Sequence, residues 1–106
     1  MIANMMVGHQ FIMREFGIEA VPRIGWHLDS FGHSQTNQRL LAELGMDATF
    51  VGRANHLERL QRRQTQELEF IWKTSEETEI LFLLNHDGTY GNPGFLEFDG
   101  FNNQRA

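Results

Sequence analysis

Along the start of the chain, Ile2, Met5, Met6, His9, Ile12, Met13 and Phe16 recur at three- and four-residue spacing, which gathers them onto one stripe of a helix. Gly17 follows where a left-handed cap closes such a helix, so the pattern predicts a helix over 3–16 with His9 packed on its apolar stripe. The mostly apolar run Arg23-Ile24-Gly25-Trp26-His27-Leu28, entered through Pro22, predicts a strand with Asp29 at its C-terminal end. Ser34 is placed to cap a second helix that carries Leu40, Leu41 and Leu44 on one face and stops at Gly45. Ala48-Thr49-Phe50-Val51-Gly52 predicts a second strand ending at Arg53. Residues 55–70, rich in Arg, Gln and Glu with Leu57, Leu60, Leu68 and the following Ile71 interspersed, predict one long helix with a solvated face. Ile80-Leu81-Phe82-Leu83-Leu84 predicts a third, buried strand, followed by a long irregular loop over 85–94 that is rich in Asn, Gly and Pro.

Helix, strand, helix, strand, helix, strand is the order that right-handed crossovers build into a parallel sheet. Three strands do not close an eight-stranded barrel, which takes on the order of 250 residues. The expectation is either a small open α/β sheet or an α/β piece of something larger, and the abrupt start and polar tail Asn102 to Ala106 favour the second.

Composition narrows the chemistry. With 41% apolar residues, including nine Phe and two Trp, the 106 residues can fill a modest core. Nine basic against fourteen acidic residues, a net charge of -5, lacks the basic excess of a nucleic-acid binder. With no Cys, a metal site has to use His, Asp or Glu. No apolar run approaches the roughly 20 residues that cross a bilayer, and Met1 to Val7 lacks the basic start of a leader.

Ligands of parallel sheets bind beyond the C-terminal ends of the strands. Asp29, Arg53 and the loop around Tyr90 all fall at that edge. The densest cluster is Trp26-His27-Leu28-Asp29-Ser30-Phe31-Gly32-His33-Ser34. Zinc accepts His and carboxylate ligands, so Asp29 alone or His27, Asp29 and His33 together are metal candidates, beside ordinary capping and loop roles for each His. Arg53 is either a clamp on a carboxylate or substrate, or half of a surface ion pair. Trp26 and Phe31 either stack on a sugar face or pack in the core. Arg59, Arg62 and Arg63 beside Glu58, Glu67 and Glu69 read as a salt-bridged helical face.

The run from Trp26 to Ser34 resembles the signature of glycoside hydrolase family 38, the zinc-dependent α-mannosidases, which takes the form Trp-x-Ile-Asp-Pro-Phe-Gly-His-Ser. Gly45-Met46-Asp47, Phe50-Val51-Gly52-Arg53, Glu69-Phe70-Ile71-Trp72 and, in the first helix, Gly8-His9-Gln10-Phe11 with Phe16-Gly17 resemble flanking segments of its lysosomal branch in the same order. The resemblance implies that residues 1–106 are a fragment of the N-terminal catalytic domain, about three βα units of a seven-stranded barrel. It implies a retaining hydrolase of terminal α-mannosides on N-glycans and oligosaccharides, working in a lysosome, vacuole or other acidic vesicle. Asp29 stands in the place of the nucleophile and of one zinc ligand. Among the substrate-binding positions that the resemblance implies, Phe31 stands where an aromatic lines the sugar subsite, Arg53 where an Arg approaches the active-site carboxylates and Tyr90 in the place of an active-site Tyr, while His27 and His33 match no ligand. Ser30 departs from the family's Pro and removes a fixed φ beside the nucleophile. The family's other zinc ligands and its general acid lie outside the match, so the remainder of the catalytic domain is an implied partner, and the chain alone is expected to be inactive. A metal-dependent hydrolase or deacetylase built on His27, Asp29 and His33, and a non-catalytic carbohydrate-binding or interaction module, are the alternatives.

Overall fold

The computed structural model describes residues 1–86. Tyr90 and most of the expected 85–94 loop lie outside them. Among the described residues, three α-helices and four strands follow in the order α1 (Ile2–Phe16), β1 (Ile24–His27), α2 (Gln35–Glu43), β2 (Ala48–Val51), α3 (His56–Thr65), β3 (Glu69–Lys73) and β4 (Glu79–Leu84), with one 3-10 turn, Ile18–Ala20, between α1 and β1. The strands form one sheet in the order β1-β2-β4-β3, with β1, β2 and β4 parallel and β3 antiparallel to β4. The α/β class and the three parallel strands agree with the expectation; the fourth strand corrects it.

That correction comes from residues 66–73. Asn55 caps α3 by accepting from the Leu57 and Glu58 amides, but the helix stops at Gln66, which takes a left-handed conformation with φ of 59°. A residue in that region cannot continue a right-handed helix. Beyond it the sequence alternates: Phe70 and Trp72 point to the face that carries Phe82, while Glu69, Ile71 and Lys73 point away. The two-residue period of a strand therefore overrides the helix-favouring composition before it.

Register divides the sheet into two unlike faces. On one, Ile80, Phe82, Leu84 and Val51 are buried; the fully buried Leu41 of α2 packs with Ile80 and Met46, while Val51, Phe82 and Leu84 form a second cluster with Phe70 and Trp72. The Ser34 hydroxyl fixes the start of α2 by accepting from the Asn37 amide at 3.1 Å. On the other face Ile24, Trp26 and Ile71 stand exposed, and Trp26 stacks on Phe50 with ring centres 4.9 Å apart. No described helix covers this second face.

Helix α1 has no buried residue, and Met5 is the side chain that reaches the core at Leu41, Met46 and Ile80. His9 is half-exposed on it. The expected packing of His9 is corrected: the helix presents its apolar stripe, Met6, Met13 and Phe16 included, largely to solvent.

Candidate active site

Strands β1 and β2 are neighbours in parallel, with His27 registered against Val51. Two residues further along each strand stand Asp29 and Arg53, so equal strand extensions bring this acid and base side by side across 24 residues of sequence. The Arg53 Nε donates to Asp29 Oδ1 at 2.5 Å. Both groups remain open to solvent, with side chains 39% and 55% exposed, as a pair that meets a soluble ligand must be. The Arg53 guanidinium lies over the ring of Phe31, 4.7 Å from its centre, a cation–π arrangement on an aromatic that is itself 87% exposed. Three of the four residues singled out for the site thus converge.

The two histidines of the cluster do different things. His33 Nε2 donates to the Arg53 carbonyl at 2.6 Å, which places its proton on that nitrogen because a carbonyl only accepts. Its ring meets Phe82 edge-on at 5.5 Å. His27 Nδ1 lies 3.3 Å from the Ser30 hydroxyl. Burial, and then the nearby His33, hold its pKa below the ordinary imidazole value. Trp26 does not join the cluster; its ring lies on the bare face of the sheet against Phe50.

Beside the Asp29, Arg53 and Phe31 group opens a cleft of about 810 Å³. The Phe31 loop and α3, through Glu58 and Arg59, form its rim, and Trp72 and Phe82 form its apolar floor. That volume is in the range of small-ligand sites. Aromatic surface beside charged donors suits a ligand with an apolar face and many hydroxyls.

As a metal site the residues are incomplete. Among the described residues no group of three or more His, Cys, Asp or Glu side chains comes together to hold a metal. Asp29 offers a carboxylate suited to one corner of a tetrahedral zinc, but His33 is committed to the Arg53 carbonyl. His27, Asp29 and His33 are not assembled as a ligand set.

Arg59 is the residue that the sequence reading misplaced. Instead of facing solvent within a salt-bridged helix, it turns back onto the strand ends, donating to the Gly52 carbonyl and, at 2.5 Å, to the Asn85 carbonyl. Its pKa is lowered by burial and then by Arg63. A signal was present in the spacing: Glu58 and Arg62 pair four residues apart, whereas the residues four before and after Arg59 are Asn55 and Arg63, neither an acid. Arg62 also covers the Phe70 ring at 4.1 Å.

Residues 1–105 match the family described as glycosyl hydrolases family 38 N-terminal domain. The lysosomal alpha-mannosidase of Dictyostelium discoideum is 40% identical over 77 residues, covering 73% of this chain and 7% of that protein. The lysosomal alpha-mannosidase of Mus musculus is 34% identical over 102 residues, covering 92% of this chain and 10% of its own length. The alpha-mannosidase of Canavalia ensiformis is 36% identical over 107 aligned residues, covering 97% of this chain and 11% of its own length. The chain thus spans about a tenth of the length of these curated relatives.

Proposed function

Because the chain belongs to glycosyl hydrolase family 38, we propose that it is the nucleophile-bearing part of a retaining, zinc-dependent α-mannosidase that removes terminal α-mannose from N-glycans and oligosaccharides. The observation that carries this reading is the meeting of Asp29, Arg53 and Phe31 at the C-terminal edge of adjacent parallel strands. In that role an Asp29 carboxylate oxygen attacks the anomeric carbon as the bond to the leaving oxygen breaks, giving a mannosyl-Asp29 ester that water then hydrolyses with retention. The acid that protonates the leaving oxygen comes from outside these 106 residues, set roughly 5 Å from the nucleophile as retaining enzymes require.

Arg53 orients Asp29 and balances its charge between turnovers, and Phe31 offers its exposed ring to the apolar face of the sugar. Tyr90 is assigned to the same subsite. Zinc, when bound, supplies Lewis-acid stabilisation of sugar hydroxyls; Asp29 is its one ligand in this chain, and the remainder of the catalytic domain provides the others. The four-stranded sheet then forms part of a β/α barrel whose further units cover the bare Trp26 face. The lysosomal names of the Dictyostelium and mouse relatives support an acidic vesicle as the site of action.

The test is a chimera in which this chain replaces the matching segment of the Canavalia ensiformis enzyme. Hydrolysis of an aryl α-mannoside, with a slow mannosyl fluoride trapped on the Asp29 peptide by mass spectrometry, is the expected result. Undiminished turnover in the Asp29→Asn chimera overturns the assignment. The 106-residue chain alone is expected to show no turnover and no tight zinc binding.

A further inference from the structure

Two side chains, His33 of the cluster and Arg59 of α3, take no part in the chemistry just described, yet both bear on Arg53. The rotation of a residue between its two peptide planes is the backbone freedom it has. At Arg53 both bounding planes are held by side chains. The carbonyl before it, on Gly52, accepts from the Arg59 guanidinium. The carbonyl after it, its own, accepts from His33 Nε2 at 2.6 Å.

The two holds come from different places. His33 belongs to the same loop as Asp29, so it ties the nucleophile's loop directly to the backbone of the arginine that Asp29 pairs with. Arg59 comes from α3, and its second donor reaches the Asn85 carbonyl just past β4. Asn85 in turn donates its amide to Val51 at 2.9 Å. Arg59 therefore fastens the ends of β2 and β4 together one residue short of Arg53. A guanidinium is the side chain that can serve two carbonyls at once from one rigid fork.

We infer that His33 and Arg59 are positioning residues, which fix the backbone on both sides of Arg53 and so aim its guanidinium at Asp29. The inference rests on the proposed function for its catalytic meaning, since Arg53 acts through the nucleophile. It also gives His33, a signature residue with no metal role, a task of its own.

The Arg53 Nε–H of the 106-residue chain reports the pair without any need for turnover. Its hydrogen-bonded NMR signal is assigned by its loss in Asp29→Asn, and its exchange with water is then measured in three variants whose amide spectra are checked for the native fold. His33→Phe keeps the ring against Phe82 but removes the donor, and is expected to speed exchange about ten-fold, the size set by one charge-coupled hydrogen bond. His33→Gln, which keeps an N–H near the same position, is expected to restore exchange to within about two-fold of the parent. Arg59→Lys retains the charge but loses the fork and is expected to resemble His33→Phe. Equal exchange in His33→Phe and His33→Gln overturns the role of His33, and parent-like exchange in a folded Arg59→Lys overturns that of Arg59. If Arg59→Lys loses the fold, the two His33 variants decide the inference. A chimera that fails to hydrolyse mannosides leaves this result standing, so the two readings fail separately.

Discussion

The ladder between β1 and β2 carries an acid–arginine pair at each end. At the N-terminal end, Arg23 grips Asp47 through Nε at 2.7 Å and Nη2 at 2.8 Å, a two-pronged contact across 24 residues. At the C-terminal end, Arg53 meets Asp29 through Nε across the same 24 residues, with the order of acid and base reversed. By geometry alone the remote pair is the better ion pair. What sets the other apart is its surroundings: the Phe31 ring under the guanidinium, backbone carbonyls held on both sides of Arg53, and a cleft alongside. An ion pair at a strand end is thus no mark of function. Its placement at the end where parallel strands gather their loops, and the shell that holds it, carry the distinction.

The sharpest way to break this contrast is to make the same substitution at both ends. In the chimera, Asp29→Asn is expected to lower aryl-mannoside kcat by about 10⁴-fold or more, the scale of losing a nucleophilic group, and Asp47→Asn to leave it within two-fold. Comparable losses from both would erase the difference between the pairs. Next in size is the platform that they share. Leu41 is wholly buried against Ile80 and Met46, and Leu41→Ala is expected to cost about 2–5 kcal/mol in urea unfolding of the chain. A loss under 1 kcal/mol would mean that α2 does not anchor the ladder.

Smaller again are the pairs themselves as sources of stability. All four side chains are more than a third exposed, so Arg23→Ala and Arg53→Ala are each expected to shift unfolding by no more than about 1 kcal/mol, and less in high salt. A markedly larger loss at Arg53 would make its pair structural first. The least effect is the pH response of the C-terminal end. His27 has a folded pKa below its unfolded one, so the unfolded chain takes up the proton more readily. Stability is therefore complete above about pH 6.5 and declines as the pH falls through the unfolded value towards the folded one. With chelator present, the melting temperature of His27→Gln is expected to fall less than that of the parent between pH 7.5 and 5. Parallel curves would assign the acid sensitivity elsewhere.

Much of this was legible before any coordinates. Ser34 announced α2 through a short polar cap and Gly45 closed it, whereas the Asn55 cap of α3 emerged only with the structure. The apolar runs 23–28, 48–52 and 80–84 hold the three parallel strands Ile24–His27, Ala48–Val51 and Glu79–Leu84 to within a residue at each end. Asp29 and Arg53 were readable as strand-end residues, and Arg53 as a clamp on a carboxylate, but the register that sets the two side by side was not, because it depends on hydrogen bonds made across the sheet. Strand β3 escaped because the switch from a helical to a two-residue period happens at Gln66, a residue that does not announce a left-handed turn as glycine does. Arg59 escaped for a related reason. A basic residue in a charged helix looks solvated until the strand ends it caps are in place.

The matched register at both ends of β1 and β2 has a consequence for how this segment tolerates changes of length. Asp29 and Arg53 stay together because four residues of one strand run beside four of the other. An added or lost residue within the connection 34–46 leaves both strands in step and is felt instead through α2, where it displaces Leu41 from Ile80 and Met46. One residue gained or lost inside 48–51 is different in kind: it moves Arg53 out of step with Asp29 and turns its side chain to the opposite face. Deletion scanning across residues 23–53 would then separate two kinds of loss, of folding stability within α2 and of the Asp29–Arg53 pairing within 48–51.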